Sequence, residues 1–262
     1  DDETSRGLGD VYKRQVAEGV MYLHSANTMF ALNASTGEEL WRRPLDSGRA
    51  GGPVRGSTYA SGLIYAYRGA DLYAFDATTG EEIRSFGETG VVQVITDALN
   101  FKYPDVYPNN TDPINLGYRL TTPPTVHNGK MYVAAALSEG HIPGGLVIRI
   151  DALSGAVEWV FNTVPQTPSD SGWEIARDTW GTGQRAGGGV WTPPAIDTEF
   201  GLVYINAGNP SPDYDGSARV GANLFTNATI ALDINTGELA WYFQAVHHDL
   251  WDWDHVTGPL LF

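Results

Sequence analysis

The sequence predicts an all-β fold built from repeated four-stranded units, and three observations support this prediction. The chain is rich in residues that form strands and turns, with 31 Gly, 15 Pro, 13 Tyr and 8 Trp among its 262 residues. A strand–turn–strand pattern recurs along the chain, and a glycine-led hairpin precedes each copy of it. Two such hairpins in succession make one four-stranded antiparallel sheet.

The recurring pattern is an apolar strand, an Asp or Asn, a turn that closes at Gly, and a second strand that carries Trp. Its copies are Ala31–Trp41, Ala74–Arg84, Arg149–Trp159 and Ala231–Trp241, with Arg84 replacing the Trp in the second. Alternating apolar residues predict the strands, and Asp or Asn followed by Gly predicts the tight turn. The Trp is predicted to pack across the boundary between neighbouring units.

Repeated units of this kind indicate a partial β-propeller of about four blades. A bare blade needs about 40–45 residues, so the wider spacing of the later repeats requires insertions. These are predicted at Val91 to Leu120 and at Asn162 to Gly189, which are rich in Pro, Gly, Asn and Asp. Long loops on a rigid scaffold commonly carry a functional site, although many propellers are scaffolds alone.

The two ends of the chain differ from its middle. Residues 1–15 are charged and lack strand alternation, so they are predicted to be non-native or disordered, with the propeller domain covering 16–262. The chain stops inside an apolar run. We therefore expect a fragment of a longer protein that is inactive alone and prone to aggregate, because a half propeller leaves open sheet edges.

Composition excludes several classes of function. The formal net charge of -15 repels phosphate backbones, so no nucleic-acid partner is expected. The chain has no Cys, which excludes thiol catalysis, disulfides and cysteine-based metal sites. No apolar run approaches the roughly 18 residues of a membrane span, and whether the protein associates with a membrane in another way stays open.

Three strings outside the repeats carry further information: GGGVW, AGNPSP and HHDLWDWD. Together with the Trp repeats they resemble the quinoprotein dehydrogenases, which depend on pyrroloquinoline quinone (PQQ) and oxidise alcohols or glucose on an eight-bladed propeller. The resemblance covers 16–262, the N-terminal half of such a propeller. Non-enzymatic propellers that assemble outer-membrane proteins carry similar repeats, so a non-catalytic scaffold that binds protein partners is the alternative. A sugar-binding module is a third interpretation.

The resemblance implies three cofactor-binding residues. Trp191, after the glycine run, would form the floor on which the quinone ring lies. Arg55, in GGPVRGSTY, would pair with a quinone carboxylate, for which a guanidinium fork is well suited. Thr121, in LTTPP, would hydrogen-bond the cofactor.

The resemblance also implies a catalytic base and a metal site. Asp252, directly after the Trp of HHDLWD, would be the base, while Glu139 and Asn209 would bind the metal. The metal would be calcium or magnesium. Asp254 makes a lanthanide the alternative. Side chains two residues apart on a strand face the same side, so Asp252 and Asp254 could address one ion. A trivalent ion gains more binding energy from an added carboxylate than a divalent ion does.

The implied function is an oxidoreductase that oxidises an alcohol, polyol or aldose with PQQ and a metal ion. The partners implied are the small substrate and an electron acceptor, either a cytochrome or a quinone, and the implied location is the periplasm. One departure from the family concerns methanol dehydrogenases, whose vicinal cysteines cap the quinone. Arg49 and Ala50 stand at that place in this sequence.

Overall fold

The structure is a computed structural model, and it describes residues 15–25, 27–45, 55–87, 89–107, 111–135, 141–255 and 257–261. Within these residues the strands form four sheets, each with four antiparallel strands in sequential order. This arrangement confirms the predicted all-β partial propeller. Gln15 pairs with Tyr22 in the first sheet. Residues 1–14 lie outside the described part of the chain, so the proposed character of the first segment stays a prediction.

The elements follow one another sheet by sheet. The first sheet contains β1 (Gln15–Ala17), β2 (Val20–His24), β3 (Thr28–Asn33) and β4 (Glu39–Pro44). The second contains β5 (Thr58–Ala60), β6 (Leu63–Arg68), β7 (Asp71–Asp76) and β8 (Val91–Val92). The third contains β9 (Thr125–His127), β10 (Lys130–Ala135), β11 (Leu146–Asp151) and β12 (Val157–Asn162). The fourth contains β13 (Ala195–Asp197), β14 (Leu202–Ala207), β15 (Ala228–Asp233) and β16 (Leu239–Gln244).

The first strand of each sheet lies at the centre of the assembly. β1 contacts β5, and β5 contacts β9. Side-chain hydrogen bonds link these inner strands: the Thr58 hydroxyl donates to the Pro124 carbonyl 2.5 Å away, and the Thr125 hydroxyl donates to the Pro194 carbonyl at 2.8 Å. The sheets are therefore arranged around an axis that their first strands line, as in a propeller.

Neighbouring sheets pack face to face through buried apolar side chains. Each of the three sheet boundaries holds one core cluster, in which side chains of both sheets exclude water. Representative members are Met29 with Phe75, Tyr65 with Ile148, and Phe161 with Ile230.

Tryptophan docking fixes the spacing between sheets, as the repeat predicts. The Trp41 indole N–H donates to the Ala77 carbonyl of the next sheet at 3.0 Å, and its ring covers Gly80. Trp159 covers Gly237 in the same way. Gly80 and Gly237, which close the turns of the second and fourth sheets, are thus the surfaces on which the preceding sheet's Trp lies.

The second sheet departs from the repeat. Its fourth strand was predicted to begin directly after the turn, but Glu82 forms only an isolated bridge with Phe75. The strand β8 forms later, and its Val92 covers Gly155 of the third sheet where a Trp would otherwise lie. Arg84 cannot bury its charge against that glycine, which explains why a later apolar residue takes the position.

Replacing Gly80 with Ala is expected to destabilise the chain by about 3 kcal/mol, because an added Cβ would lie 2.6 Å from the Trp41 ring and Gly80 has a φ of +67°. Gly37 is the matched control, since it occupies the same turn position with a φ of +75° and nothing within 4 Å of an added Cβ. Gly37→Ala should cost only the backbone strain, about 1 kcal/mol. Urea unfolding measures both, and equal losses would contradict the docking argument.

The outer face of the fourth sheet is apolar. Trp241 is 44% exposed and Phe243 is 65% exposed on β16. An exposed face of this kind favours self-association. This face adds to the open sheet edges on which the expectation of aggregation was based.

The long connecting segments lie at one end of the sheets. Neighbouring strands are antiparallel, so the first and third strands of each sheet start at one end of the sheet. The second and fourth strands finish at that same end. Residues 93–107 and 111–124, 163–194, 208–227 and 245–255 all connect to strands there. We call this the loop end. Two helices that the sequence did not predict, α1 (Val94–Lys102) and α2 (Trp173–Ala176), belong to these segments.

Candidate functional site

The three predicted cofactor-binding residues occupy equivalent places at the loop end. Arg55 lies shortly before β5, Thr121 shortly before β9 and Trp191 shortly before β13. Since these strands line the axis, the three residues lie near the axis at the loop end. Trp191 is partly buried.

Arg55 and Thr121 are in direct contact. The Arg55 amide donates to the Thr121 carbonyl at 3.2 Å and to the Tyr67 hydroxyl at 3.0 Å, and that hydroxyl donates to the same carbonyl. Within the described residues, Arg55 Nη1 and Thr121 Oγ1 are both buried and have no hydrogen-bond partner. Buried polar atoms without partners are uncommon in folded proteins and require an explanation such as a bound group.

Further polar atoms without partners lie around this pair, and the sequence analysis missed them. Among the described residues, His24 Nε2, Ser57 Oγ and Thr122 Oγ1 are buried without a hydrogen bond. His24 Nδ1 lies 3.1 Å from the Gly56 carbonyl oxygen. Burial lowers the pKa of His24 to about 4, so its ring is neutral near pH 7. Its position at the end of β2, at the loop end, is the signal that could have identified it.

Asn209 lies in a turn after β14, residues 208–214, which we call the asparagine turn; residues 208–211 of this turn are buried. Asn209 is fully buried, and its Nδ2 donates to Asp213 Oδ1 at 2.8 Å. Its Oδ1 is buried and accepts no hydrogen bond from the described residues. This amide oxygen is therefore available to a cation or another donor.

The glycine run before Trp191 packs on the asparagine turn. The Gly188 amide donates to the Asn209 carbonyl at 2.7 Å. A Cβ added to Gly187 would lie 2.5 Å from that same oxygen, so the close approach requires glycine. The strings GGGVW and AGNPSP, which are separate in sequence, thus form one unit that joins Trp191 to Asn209.

Asp252 and Asp254 lie in the segment 249–254, the acidic loop, and both contact the asparagine turn. The backbone N–H of Asn209 donates to Asp254 Oδ1, and the two atoms N and Oδ1 are 3.4 Å apart. The Tyr214 hydroxyl donates to Asp252 Oδ2 at 3.3 Å. The negative charge of Asp252 is the main reason that the pKa of Tyr214 is raised.

Asp252 has a buried carboxylate oxygen that is available for bonding and an unusual backbone conformation. Its Oδ1 is buried and lacks a hydrogen-bond partner in the described part of the chain. Its φ is +63°, a conformation that few residues other than glycine adopt. Trp251 and Trp253 flank it with their side chains 62% and 64% exposed. Together with Asp254 these residues line an open concavity of about 400 Å³.

The structure therefore brings most of the predicted site residues together in two groups. One group contains Arg55 and Thr121, and the other contains Asn209, Asp252 and Asp254 with the glycine run of Trp191. Glu139 lies outside the described residues. Within the described residues, no group of three or more His, Asp or Glu side chains is arranged to hold a metal. The metal-binding roles of Glu139, Asn209 and Asp254 stay predictions.

These features define a class of protein: a β-propeller whose loop end carries a polar site with buried atoms that lack hydrogen-bond partners among the described residues. The family model described as "PQQ: Glucose/ethanol/alcohol dehydrogenase, beta-propeller domain" matches residues 12–262. The chain belongs to this family of quinoprotein alcohol and glucose dehydrogenases.

Individual relatives agree with this assignment. The chain is 35% identical over 155 residues to quinohemoprotein alcohol dehydrogenase ADH-IIG of Pseudomonas putida, covering 55% of this chain and 21% of that protein. It is 28% identical over 263 residues to the glycerol dehydrogenase large subunit of Gluconobacter thailandicus, covering 92% and 33%. The chain thus spans a third or less of these two relatives.

A solved structure shows the same arrangement of strands. The structure of quinohemoprotein alcohol dehydrogenase ADHIIG from Pseudomonas putida HK5 superposes with a TM-score of 0.74 at 29% identity, covering 95% of this chain and 36% of that one. In the described part of this chain, the helices are all too short or too polar to cross a membrane.

Proposed function

We propose that this chain supplies the propeller site of a PQQ-dependent dehydrogenase that oxidises an alcohol, a polyol or an aldose. The observation that carries this proposal is the meeting of the asparagine turn and the acidic loop, each of which presents a buried oxygen that has no hydrogen-bond partner in the described part of the chain. The relatives' names, which include alcohol, glycerol and glucose dehydrogenases, support the substrate class.

The residues present fit the cofactor. PQQ is a flat, anionic molecule that carries carboxylates. Arg55 offers a buried Nη1 and Thr121 offers a buried hydroxyl, and neither atom has a hydrogen-bond partner among the described residues. Neither side chain is hydrogen-bonded to a carboxylate of the described residues that would compete with those of PQQ. Trp191 offers an aromatic surface shortly before β13 at the loop end, and a planar ring gains dispersion contacts and loses water on such a surface.

The residues present also fit a hard cation. Asn209 contributes an amide oxygen, while Asp254 contributes a carboxylate on the adjoining loop, and oxygen ligands of these kinds bind calcium and related ions. Glu139 would complete the set. Calcium or magnesium is the proposed metal, with a lanthanide as the alternative that Asp254 suggests.

Asp252 would act as the base of the reaction. When bound, the quinone would supply the hydride acceptor, and the metal would supply the positive charge that polarises the quinone. Asp252 Oδ1, which has no hydrogen bond in the described structure, would accept the proton of the substrate hydroxyl. The Tyr214 hydroxyl, bonded to the other carboxylate oxygen, would hold the group in one orientation. Trp251 and Trp253 would contact the substrate and displace water beside it.

The electrons would pass to a cytochrome or a quinone, and the location of the protein would be the periplasm.

A non-catalytic scaffold is the alternative class of protein, and the buried oxygens disfavour it. A surface that binds another protein through its rim does not require unpaired buried acceptors such as Asn209 Oδ1, which destabilise the fold when they stay unfilled.

Reconstitution tests the proposal directly. The full-length protein, meaning this chain with any sequence that flanks it in its gene, should bind PQQ and reduce an artificial dye when calcium or lanthanum and an alcohol, glycerol or glucose are added. An Arg55→Leu variant should bind PQQ at least about tenfold more weakly, because a charge-assisted hydrogen bond is lost. A protein that binds no PQQ under these conditions would support the scaffold alternative.

A further inference from the structure

Asp249 is a buried carboxylate that the proposed mechanism does not use. It is 1% exposed. Its Oδ1 accepts a hydrogen bond from the Trp251 amide at 2.9 Å, and its Oδ2 accepts one from the Trp253 amide at 2.9 Å. The Asn227 side chain donates to Oδ2 at 2.7 Å. One carboxylate thus holds the backbone on both sides of Asp252.

This arrangement explains how Asp252 keeps an unfavourable backbone conformation. A non-glycine residue at a φ of +63° persists only where its neighbours are fixed by other contacts. The amides of Trp251 and Trp253, both bonded to Asp249, provide those contacts. The direction in which the Asp252 side chain points is therefore set by Asp249.

Arg219 connects the acidic loop to the asparagine turn. It is 1% exposed, and its Nη2 donates to the Asp249 carbonyl at 2.6 Å and to the Pro212 carbonyl at 2.8 Å. Its Nη1 donates to Asn223 Oδ1 at 2.8 Å. Pro212 lies in the asparagine turn, so one guanidinium group bridges the loop that carries Asp252 and the turn that carries Asn209.

The burial of the Arg219 cation costs free energy, because it removes a charged group from water. Burial lowers the pKa of Arg219, and the nearby charges of Asp249, Asp213 and Asp215 oppose that shift. Its hydrogen bonds in the described residues go to neutral oxygens rather than to a carboxylate. A planar fork with several fixed donors suits the task of holding two backbone segments at one separation.

We propose that Asp249 and Arg219 are positioning residues that hold Asp252 at a fixed place relative to Asn209. This inference rests on the proposed function, in which Asp252 is the base and Asn209 binds the metal. Asp249 sets the direction of the Asp252 side chain, and Arg219 sets the distance between the two loops. Displacing a catalytic group by about 1 Å can lower the rate about 10²-fold.

Asp249→Asn in the full-length protein tests the first role. The side-chain amide of Asn would place its NH2 donor against the backbone N–H of Trp251 or Trp253, so the acidic loop should open there. We expect kcat to fall about 10–100-fold with little change in PQQ binding. Asp170→Asn is the matched control. Asp170 is also buried and accepts from two amides, Gln166 at 2.7 Å and Thr167 at 2.9 Å, but it lies in the insertion after β12. It should lose stability while keeping kcat.

Two further measurements separate this inference from the proposed function. Hydrogen exchange at the Trp251 and Trp253 amides should become fast in Asp249→Asn, whereas unchanged protection would overturn the positioning role. In an Asp252→Asn background, Asp249→Asn should have no additional effect on kcat, and an undiminished effect would show that it does not act through Asp252. Normal turnover in Asp252→Asn alone would instead remove the proposed base.

Arg219→Lys provides a second variant in case Asp249→Asn does not fold. Lys cannot bond the Pro212 and Asp249 carbonyls with the same rigid geometry, so kcat should fall in the same direction. Arg149→Lys is its control, because Arg149 Nη1 also donates to a backbone carbonyl, that of Ile234 at 2.6 Å, between the third and fourth sheets. Equal kcat values in the two variants would overturn the role of Arg219.

Discussion

Asp252→Asn in the full-length protein is expected to lower kcat about 10²–10⁴-fold, which is the usual contribution of a general base. Asn has nearly the same shape as Asp and can keep the contact with the Tyr214 hydroxyl, so the loop should stay folded. It cannot accept the substrate proton. Dye-linked turnover measures the loss, and a spectral titration with PQQ should show binding close to that of the wild type.

Asp215→Asn is the control for this substitution. Asp215 is an exposed carboxylate near the asparagine turn, and its hydrogen-bond acceptor role is local, to the Ser217 amide at 2.9 Å. Removing its charge changes the electrostatic potential near the site without removing the proposed base, Asp252. Turnover in Asp215→Asn should therefore stay near the wild-type value. If Asp252→Asn behaved like this control, another group would have to take the proton.

The repeated part of the fold could be predicted because its determinants are local. The turn from Asn33 to Gly37 shows this: Asn33 Oδ1 accepts from the Ser35 and Thr36 amides at 2.9 and 3.0 Å, and all of these residues lie within one short string. The same string predicts the Trp that follows it. Strand alternation and turn residues then define each sheet without knowledge of any distant contact.

The connecting segments could not be predicted in the same way, because their structure depends on distant partners. The helix α1 lacks a side-chain cap, and its buried residues, which include Ile95 and Leu99, join the core between the second and third sheets. Arg219 is another example. Nothing in ARVGAN marks it as buried, and its partners Pro212 and Asp249 lie on either side of it in sequence.

The candidate site falls between these two cases. The strings that carry Trp191, Asn209 and Asp252 could be selected from the sequence by resemblance, and the strand order places them at one end of the propeller. Their mutual contacts could not be predicted, because they depend on how the glycine run packs on the asparagine turn. His24 was missed for the same reason, since its partner Gly56 lies in the segment before β5, 32 residues further along the chain.

The second large effect concerns the metal. Asn209→Leu in the full-length protein is expected to weaken metal binding at least about 100-fold, because the substitution removes a proposed oxygen ligand and leaves an apolar group of similar size in a fully buried place. Terbium is a suitable probe, since Trp251 and Trp253 lie in the acidic loop and can sensitise its luminescence. Titration with terbium, followed by competition with calcium and with lanthanum, gives the three affinities.

Asp254→Ala distinguishes a trivalent from a divalent metal in the same assay. Asp254 Oδ1 lies 3.4 Å from the Asn209 amide nitrogen, so its charge acts directly at this place. Because the Coulomb energy scales with the charge of the ion, its removal should weaken lanthanum binding about tenfold more than calcium binding. Asp215→Ala, which removes an exposed charge nearby, should change neither affinity by more than about twofold. Equal losses for the two ions in Asp254→Ala would show that this carboxylate does not face the metal. If calcium restores turnover as well as lanthanum does, and Asp254→Ala leaves that turnover unchanged, the lanthanide alternative is excluded.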